Sequence, residues 1–163
     1  MNPLRLLLVQ SDPYWEDPVA NLAALEELLW QHPDPVDVIV LPEMFQTGFT
    51  TNGDVAEVMG LHTTRWMRQQ AARTGAAVVG SFLAREAGHL YHRLLWVEPD
   101  GQQAQYNKRH LFRISDEAAV LSPGGAVITH AWRGWRVRFI ICYDLRFPVW
   151  CRNVRPYYDV LLC

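Results

Sequence analysis

The chain has 163 residues, 50% of them apolar and 20% charged, the balance of an ordinary globular domain with material for one core. A formal charge of −2 and the lack of a long Lys or Arg run leave no basic stripe for nucleic acid or an anionic membrane, so small-molecule work is expected. Three cysteines, Cys142, Cys151 and Cys163, argue for reduced thiols, and the opening MNPLRLLLVQSDP is too short an apolar run to span a bilayer and lacks a small-residue cleavage site. Both features place the protein in the cytoplasm.

In chain order, residues 4–9 form a nearly continuous apolar run ended by Ser11, Asp12 and Pro13, which reads as a strand buried on both faces. Asp17 caps a helix with Pro18 in its first turn and Leu22, Leu25, Leu28 and Leu29 on one face, ending within residues 32–35. Residues 38–41 make a second buried strand, closed by Pro42 ahead of a loop over 46–53. Thr63 or Thr64 opens another helix and Gly75 follows its end. Residues 77–82, 91–97 and 102–106 read as strands, the last entered through a Pro99-Asp100-Gly101 turn.

An irregular stretch over 108–125 leads to a hairpin of 127–132 and 135–141 about Arg133 and Gly134, whose second strand runs into Cys142. Pro148 begins a short helical segment, and residues 160–163 start another buried strand. Strands alternating with amphipathic helices predict a layered α/β fold with a mixed sheet. The helices cover one face of that sheet, and a second sheet or a partner chain must cover the other.

Three segments place reactive side chains just beyond apolar strands, where α/β folds build their sites: Leu41-Pro42-Glu43-Met44-Phe45, Tyr106-Asn107-Lys108-Arg109-His110-Leu111-Phe112, and Ile140-Ile141-Cys142-Tyr143-Asp144-Leu145-Arg146-Phe147-Pro148. A cysteine attacks an acyl carbon as thiolate, and with an ordinary pKa of about 8.5 it needs a base and a cation nearby. Glu43 would take the thiol proton, provided burial between Pro42 and Phe45 raises its pKa, and would pass that proton to a leaving amine. Lys108 and the backbone amide of Tyr143 would hold the oxyanion. None of the six histidines has a recognisable strand-end setting with an orienting carboxylate.

These segments resemble the nitrilase superfamily of carbon-nitrogen hydrolases, in register from Leu4 to Cys163 and through Gly80-Ser81 and Ser122-Pro123-Gly124. The resemblance implies an α-β-β-α sandwich, of which residues 1–163 are the amino-terminal part, incomplete at the carboxyl end. It implies a Glu43, Lys108 and Cys142 triad, with Glu117 as a second glutamate hydrogen-bonded to the lysine. It also implies amide hydrolysis through a cysteine thioester with no metal or organic cofactor, and a homodimer in the full-length form.

Pro-Glu-Met-Phe-Gln-Thr-Gly-Phe (42–49), Tyr-Asn-Lys-Arg-His-Leu-Phe-Arg (106–113) and Cys-Tyr-Asp-Leu-Arg-Phe-Pro-Val-Trp (142–150) look most like the bacterial omega-amidase members, which hydrolyse the terminal amide of small 2-oxo acids. Arg113 or Arg146 would then clamp the substrate carboxylate, and Phe45, Tyr143 and Trp150 are candidates to line the pocket. Nitrile or N-carbamoyl hydrolysis shares the triad and is the alternative.

The chain departs from the family in stopping after the strand that begins at Val160; a fragment of a longer chain or a truncated, unstable product is expected ahead of the third reading, in which a partner supplies the rest. His92 replaces the more usual asparagine and Cys151 the more usual serine, and neither is expected to touch the triad. A catalytically inactive fragment that only packs against a partner predicts exposed apolar surface and an unreactive thiol; the enzyme reading predicts a Cys142 thiolate at neutral pH, provided the site is assembled. Taken singly, Cys142, Glu43, Lys108 and Glu117 have bland readings as a buried small hydrophobe and solvated loop charges. Their joint order and strand-end setting outweigh those. The His89-x-x-His92 spacing does not make a metal site, because on a strand the two side chains point to opposite faces.

Overall fold

The computed structural model describes residues 3–32 and 34–163. The strand over 4–9 narrows to β1 (Leu6–Leu8), and α1 (Pro18–Trp30) starts where the local chemistry puts it. The Asp17 carboxylate accepts the Ala20 N–H at 3.0 Å, satisfying an otherwise orphaned amide, and Pro18 takes the first helical position. Of the expected terminating segment, Pro33 lies outside the described residues.

After β2 (Val38–Val40), a two-residue β3 (Glu57–Val58) precedes α2 (His62–Thr74). Glu57 accepts the Thr63 N–H at 2.9 Å, so a side chain from the preceding strand does the work of a helix cap. Gly75 closes α2 in the left-handed conformation, φ 67°, with its N–H on the Ala71 carbonyl.

β4 (Ala77–Glu86) and β5 (His89–Val97) are longer than their apolar runs predict, because they continue as a hairpin through polar residues to a tight turn at Ala87 and Gly88. β6 (Gln103–Asn107) follows. The stretch 108–125 contains one helical turn, α3 (Glu117–Val120), where no regular element was expected. β7 (Thr129–Trp132) and β8 (Trp135–Phe139) form the expected hairpin; α4 (Pro148–Cys151) and β9 (Val160–Leu162) complete the described elements.

Among the described residues the strands build two sheets. The larger has the order β1-β2-β4-β5-β6, parallel through β4 and antiparallel beyond, with β3 paired to the end of β4; the smaller has the order β7-β8-β9. Leu25, Leu29, Trp66 and Met67 of the helices pack on Ile39, Val78, Phe82 and Val97 of the larger sheet. Its opposite face, through Val38, Val79, Trp96 and Tyr106, packs on Val137, Phe139 and Leu162 of the smaller sheet and on Ile141 just beyond β8. Alternation along β4 sends Val78 to the helices and Val79 to the second sheet, as strand geometry requires. Each such fully buried aliphatic side chain contributes roughly 1.5–3 kcal/mol.

The second sheet thus supplies the cover that the sequence required on that face. β1 differs from expectation: Leu6 is 41% and Leu8 71% exposed. β1 is the last strand of the larger sheet, and the smaller sheet packs against Leu4 and Val40 without covering those two side chains. No described helix is long and apolar enough to cross a membrane.

Candidate active site

The three chemistry-bearing segments leave the ends of β2, β6 and β8 and meet at one cleft. Glu43 stands on the turn after β2. The next residue, Met44, has φ 48°, and its N–H donates to Ser81 Oγ at 3.1 Å. Gly80 is required beside this turn, because a Cβ there would lie 2.7 Å from the Phe45 ring and 2.9 Å from Leu41 Cβ. The Glu43 side chain is 35% exposed, so the burial invoked to tune it is only partial.

Lys108 follows β6 and is tied on both sides: its N–H donates to the His92 carbonyl at 2.9 Å and its carbonyl accepts from Gly124 at 2.8 Å. Its ammonium has no exposed surface, donates to both Glu117 oxygens at 2.9 Å and lies 3.9 Å from Glu43 Oε1. Glu117, also fully buried, accepts further bonds from the Phe112 amide at 2.6 Å and from His92. Burial alone would push its carboxyl up, but the bonds from His92, Phe112 and Lys108 together outweigh that and hold it at about 2.

Cys142 opens a 3-10 turn, Cys142–Arg146, with φ 42°, an uncommon conformation that the surrounding structure must impose on a residue with a Cβ. Much of that constraint comes from Asp144, fully buried two residues on. Its carboxylate accepts from Tyr106 Oη at 2.6 Å, the His110 amide at 2.8 Å, His110 Nδ1 at 2.8 Å and the Ile141 amide at 3.1 Å. Burial and the Asp144 carboxylate push the Tyr106 phenol far up, so it remains a donor. The His110 ring stacks on Phe147 with centroids 3.6 Å apart.

The cleft occupies about 390 Å³, with Glu43, Phe49, Lys108, Cys142, Tyr143 and Arg146 on its walls. Arg113 faces a neighbouring groove of about 620 Å³, which shares Tyr143 with the first. Phe45 lies in the core against Trp66, with 1% exposure, and Trp150 donates from its indole to Tyr106, so the pocket aromatics are Phe49, Phe112 and Tyr143. Behind Cys142, a smaller cavity of about 140 Å³ also contacts Ser81 and Cys163.

Two expectations need correction. Burial pushes the Cys142 thiol up, and the facing Glu43 carboxylate adds to this; Lys108 pulls the other way without reversing it. That upward direction runs against the expected standing thiolate. His92 does touch the site: its ring has no exposed surface, its Nδ1 is 3.3 Å from Glu117 Oε1 and 3.9 Å from Glu43 Oε1, and its Nε2 is 2.9 Å from Ser81 Oγ. His89, on the other face of β5, reaches Ser122 at 3.1 Å instead. Among the described residues no group of three or more His, Cys, Asp or Glu is placed to hold a metal ion.

The carbon-nitrogen hydrolase family model matches residues 5–161, and the chain belongs to that family. It is 41% identical over 157 residues to the omega-amidase YafV of Yersinia enterocolitica, covering 96% of this chain and 61% of that protein. It is 30% identical over 149 residues to the 2-oxoglutaramate amidase of Bacillus subtilis, covering 89% of this chain and 58% of the relative. The structure superposes with a TM-score of 0.90 and 44% identity on XC1258 from Xanthomonas campestris, over 94% of this chain and 58% of that one. That protein is described as a CN-hydrolase superfamily member with an arsenic adduct in its active site. The fold is thus the mixed α/β fold of the nitrilase superfamily. The chain spans about three-fifths of the length of its curated relatives.

Proposed function

We propose that the cleft is the active site of an omega-amidase-type hydrolase, which releases ammonia from the terminal amide of small 2-oxo acid amides. The observation that carries this reading is that Glu43, Lys108 and Cys142, from three separate segments, wall one cleft with Lys108 clamped by a buried Glu117. The names of the relatives support the choice of amide.

Glu43 takes the thiol proton as Cys142 Sγ bonds to the amide carbon, and the carbonyl π electrons move onto oxygen. Lys108 and the Tyr143 amide stabilise that oxyanion, an interaction whose loss typically costs about two to three orders of magnitude in rate. Glu43 returns the proton to nitrogen, the C–N bond breaks, ammonia leaves and a thioester remains. Water then attacks the thioester carbon, giving a proton to Glu43; as the C–S bond breaks, that proton passes to sulfur. The thiol is restored and the carboxylic acid departs, losing its remaining proton to solvent as the free carboxylate, so Glu43 serves both half-reactions.

Glu117 accepts from Lys108 throughout and keeps the ammonium aimed without giving up its charge. Arg146, on the cleft wall, is the proposed clamp for the substrate carboxylate, with Arg113 in the adjoining groove as the second candidate. Neutralising the clamp raises the Michaelis constant for 2-oxo amides more than for neutral amides; equal effects on both substrates would refute the assignment.

The test of the reaction is ammonia release from 2-oxoglutaramate by this chain, by its Cys142→Ala variant, and by a form extended to the full length of its relatives. Release by the native chain and the extended form, lost in the alanine variant, supports the proposal. Release by the extended form alone makes residues 1–163 an inactive part of such an enzyme. If both forms hydrolyse nitriles or N-carbamoyl compounds and leave 2-oxoglutaramate intact, the substrate class is wrong.

A further inference from the structure

His92 occupies a singular place in this site. It sits on β5 opposite Leu83 of β4, fully buried, with one ring nitrogen toward Ser81 and the other toward Glu117. The direction of each bond follows from its partner. An ionised Glu117 can only accept, so Nδ1 carries the hydrogen. Ser81 Oγ already accepts the Met44 N–H at 3.1 Å, which leaves its hydroxyl hydrogen for Nε2.

The bonds therefore run one way: Met44 N–H to Ser81, Ser81 O–H to His92 Nε2, His92 Nδ1–H to Glu117. At one end of this line Glu117 holds the Lys108 ammonium. At the other end Met44, at φ 48°, is the residue next to Glu43 and sets the turn that carries the base. An imidazole has the reach for both contacts at once. An asparagine at this position extends only to the Glu117 side, and a glutamine has its amide near the place of Nε2. The Phe49 ring, its centroid 6.5 Å from the imidazole and 5.7 Å from Lys108 Nζ, stands beside the arrangement at the cleft.

We infer that His92 is a positioning residue of the amide-hydrolysing site, an Nδ1–H imidazole that fixes the Glu43 turn relative to the Lys108 and Glu117 pair through Ser81. This rests on the proposed roles of Cys142, Glu43 and Lys108, and not on which amide is hydrolysed. Its consequence is felt at the thiol, which burial, Glu43 and Cys163 push up and Lys108 pulls down. Cutting the Ser81 contact frees the Glu43 turn and weakens the upward push. Cutting the Glu117 contact leaves that carboxylate one donor short, so it draws Lys108 closer and weakens the downward pull.

Two measurements test this on the full 163-residue chain. In a long-range ¹H–¹⁵N spectrum of ¹⁵N-histidine-labelled protein at neutral pH, the signals lost in His92→Asn are expected to report a protonated Nδ1 and an unprotonated Nε2. An Nε2–H tautomer or an imidazolium overturns the proposal. The rate of iodoacetamide alkylation at Cys142, read by peptide mass from about pH 6 to about pH 10, is expected to shift its midpoint in opposite directions in two variants. The midpoint falls by about half a unit in His92→Asn and rises by about half a unit in His92→Gln. A packing defect alone would lower the melting temperature without producing opposite signs, so unchanged midpoints, or shifts of the same sign, overturn the proposal. Neither readout uses an amide substrate, so failure to hydrolyse 2-oxoglutaramate is a separate result.

Discussion

The Lys108 ammonium lies 2.9 Å from each oxygen of Glu117, and neither side chain has any exposed surface. A buried pair of this kind contributes little net stability, but removing one member strands the other charge. Glu117→Leu is therefore expected to cost about 3–5 kcal/mol by urea denaturation. The double variant Lys108→Met with Glu117→Leu should cost less than Glu117→Leu alone, because no charge is left behind. Additive costs in the four-member cycle would show that the two side chains are not coupled.

The bonds that His92, Phe112 and Lys108 give to Glu117 also make stability depend on acid. Glu117 has its folded-state pKa held down at about 2 against an ordinary value of 4.5. The unfolded chain therefore takes up this proton first as pH falls. The contribution is complete above about 4.5 and is lost progressively between there and about 2. Urea midpoints followed across that window should decline more steeply for the native chain than for Glu117→Gln, which has no such proton to bind. Parallel declines would remove Glu117 from the acid response.

Cys142 holds its backbone at φ 42°, where a side chain is strained. Cys142→Gly is expected to relieve that strain by about 1 kcal/mol, a rise of roughly 2–4 °C in melting temperature, while abolishing thiol chemistry. Cys142→Ala keeps the Cβ and should gain nothing from this source. Equal melting temperatures for the two variants would show that the turn is not strained.

Gly124 presses against the strand end that carries Lys108, since a Cβ there would lie 2.1 Å from the Asn107 carbonyl oxygen. Gly124→Ala should push the loop away, break its bond to the Lys108 carbonyl, cost about 1–3 kcal/mol and lower the rate of Cys142 alkylation. A Cβ on the adjacent Gly125 would meet nothing within 4 Å, so Gly125→Ala is the matched control. Similar losses in both variants would argue against the close contact as the cause.

The legibility of the site in the sequence followed distance along the chain. Glu43, Lys108 and Cys142 could be singled out because each follows a strand end, a local signal, whereas Glu117 came only from the family resemblance, which implies a glutamate at that spacing before Pro123 and Gly124. His92 could not, since its contacts with Ser81 and Glu117 depend on the pairing of β4 with β5 and on the path of the loop after β6. Nor could the role of Asp144, whose partners Tyr106 and His110 lie 38 and 34 residues earlier. Among the strands, β3 has too few residues for a periodic signal, and the exposure of Leu6 and Leu8 depends on how far the second sheet extends.

Glu43 and Lys108 leave strands of the larger sheet and Cys142 a strand of the smaller one, and Asp144 binds Tyr106 across that division. Cys142 therefore faces Glu43 and Lys108 only while the two layers are docked. A breathing motion that parts them by a few ångströms would leave every strand hydrogen-bonded within its own sheet and still return Cys142 to the reactivity of a free thiol. The thiol thus doubles as a gauge of sheet separation, sensitive to openings that backbone spectroscopy would pass over.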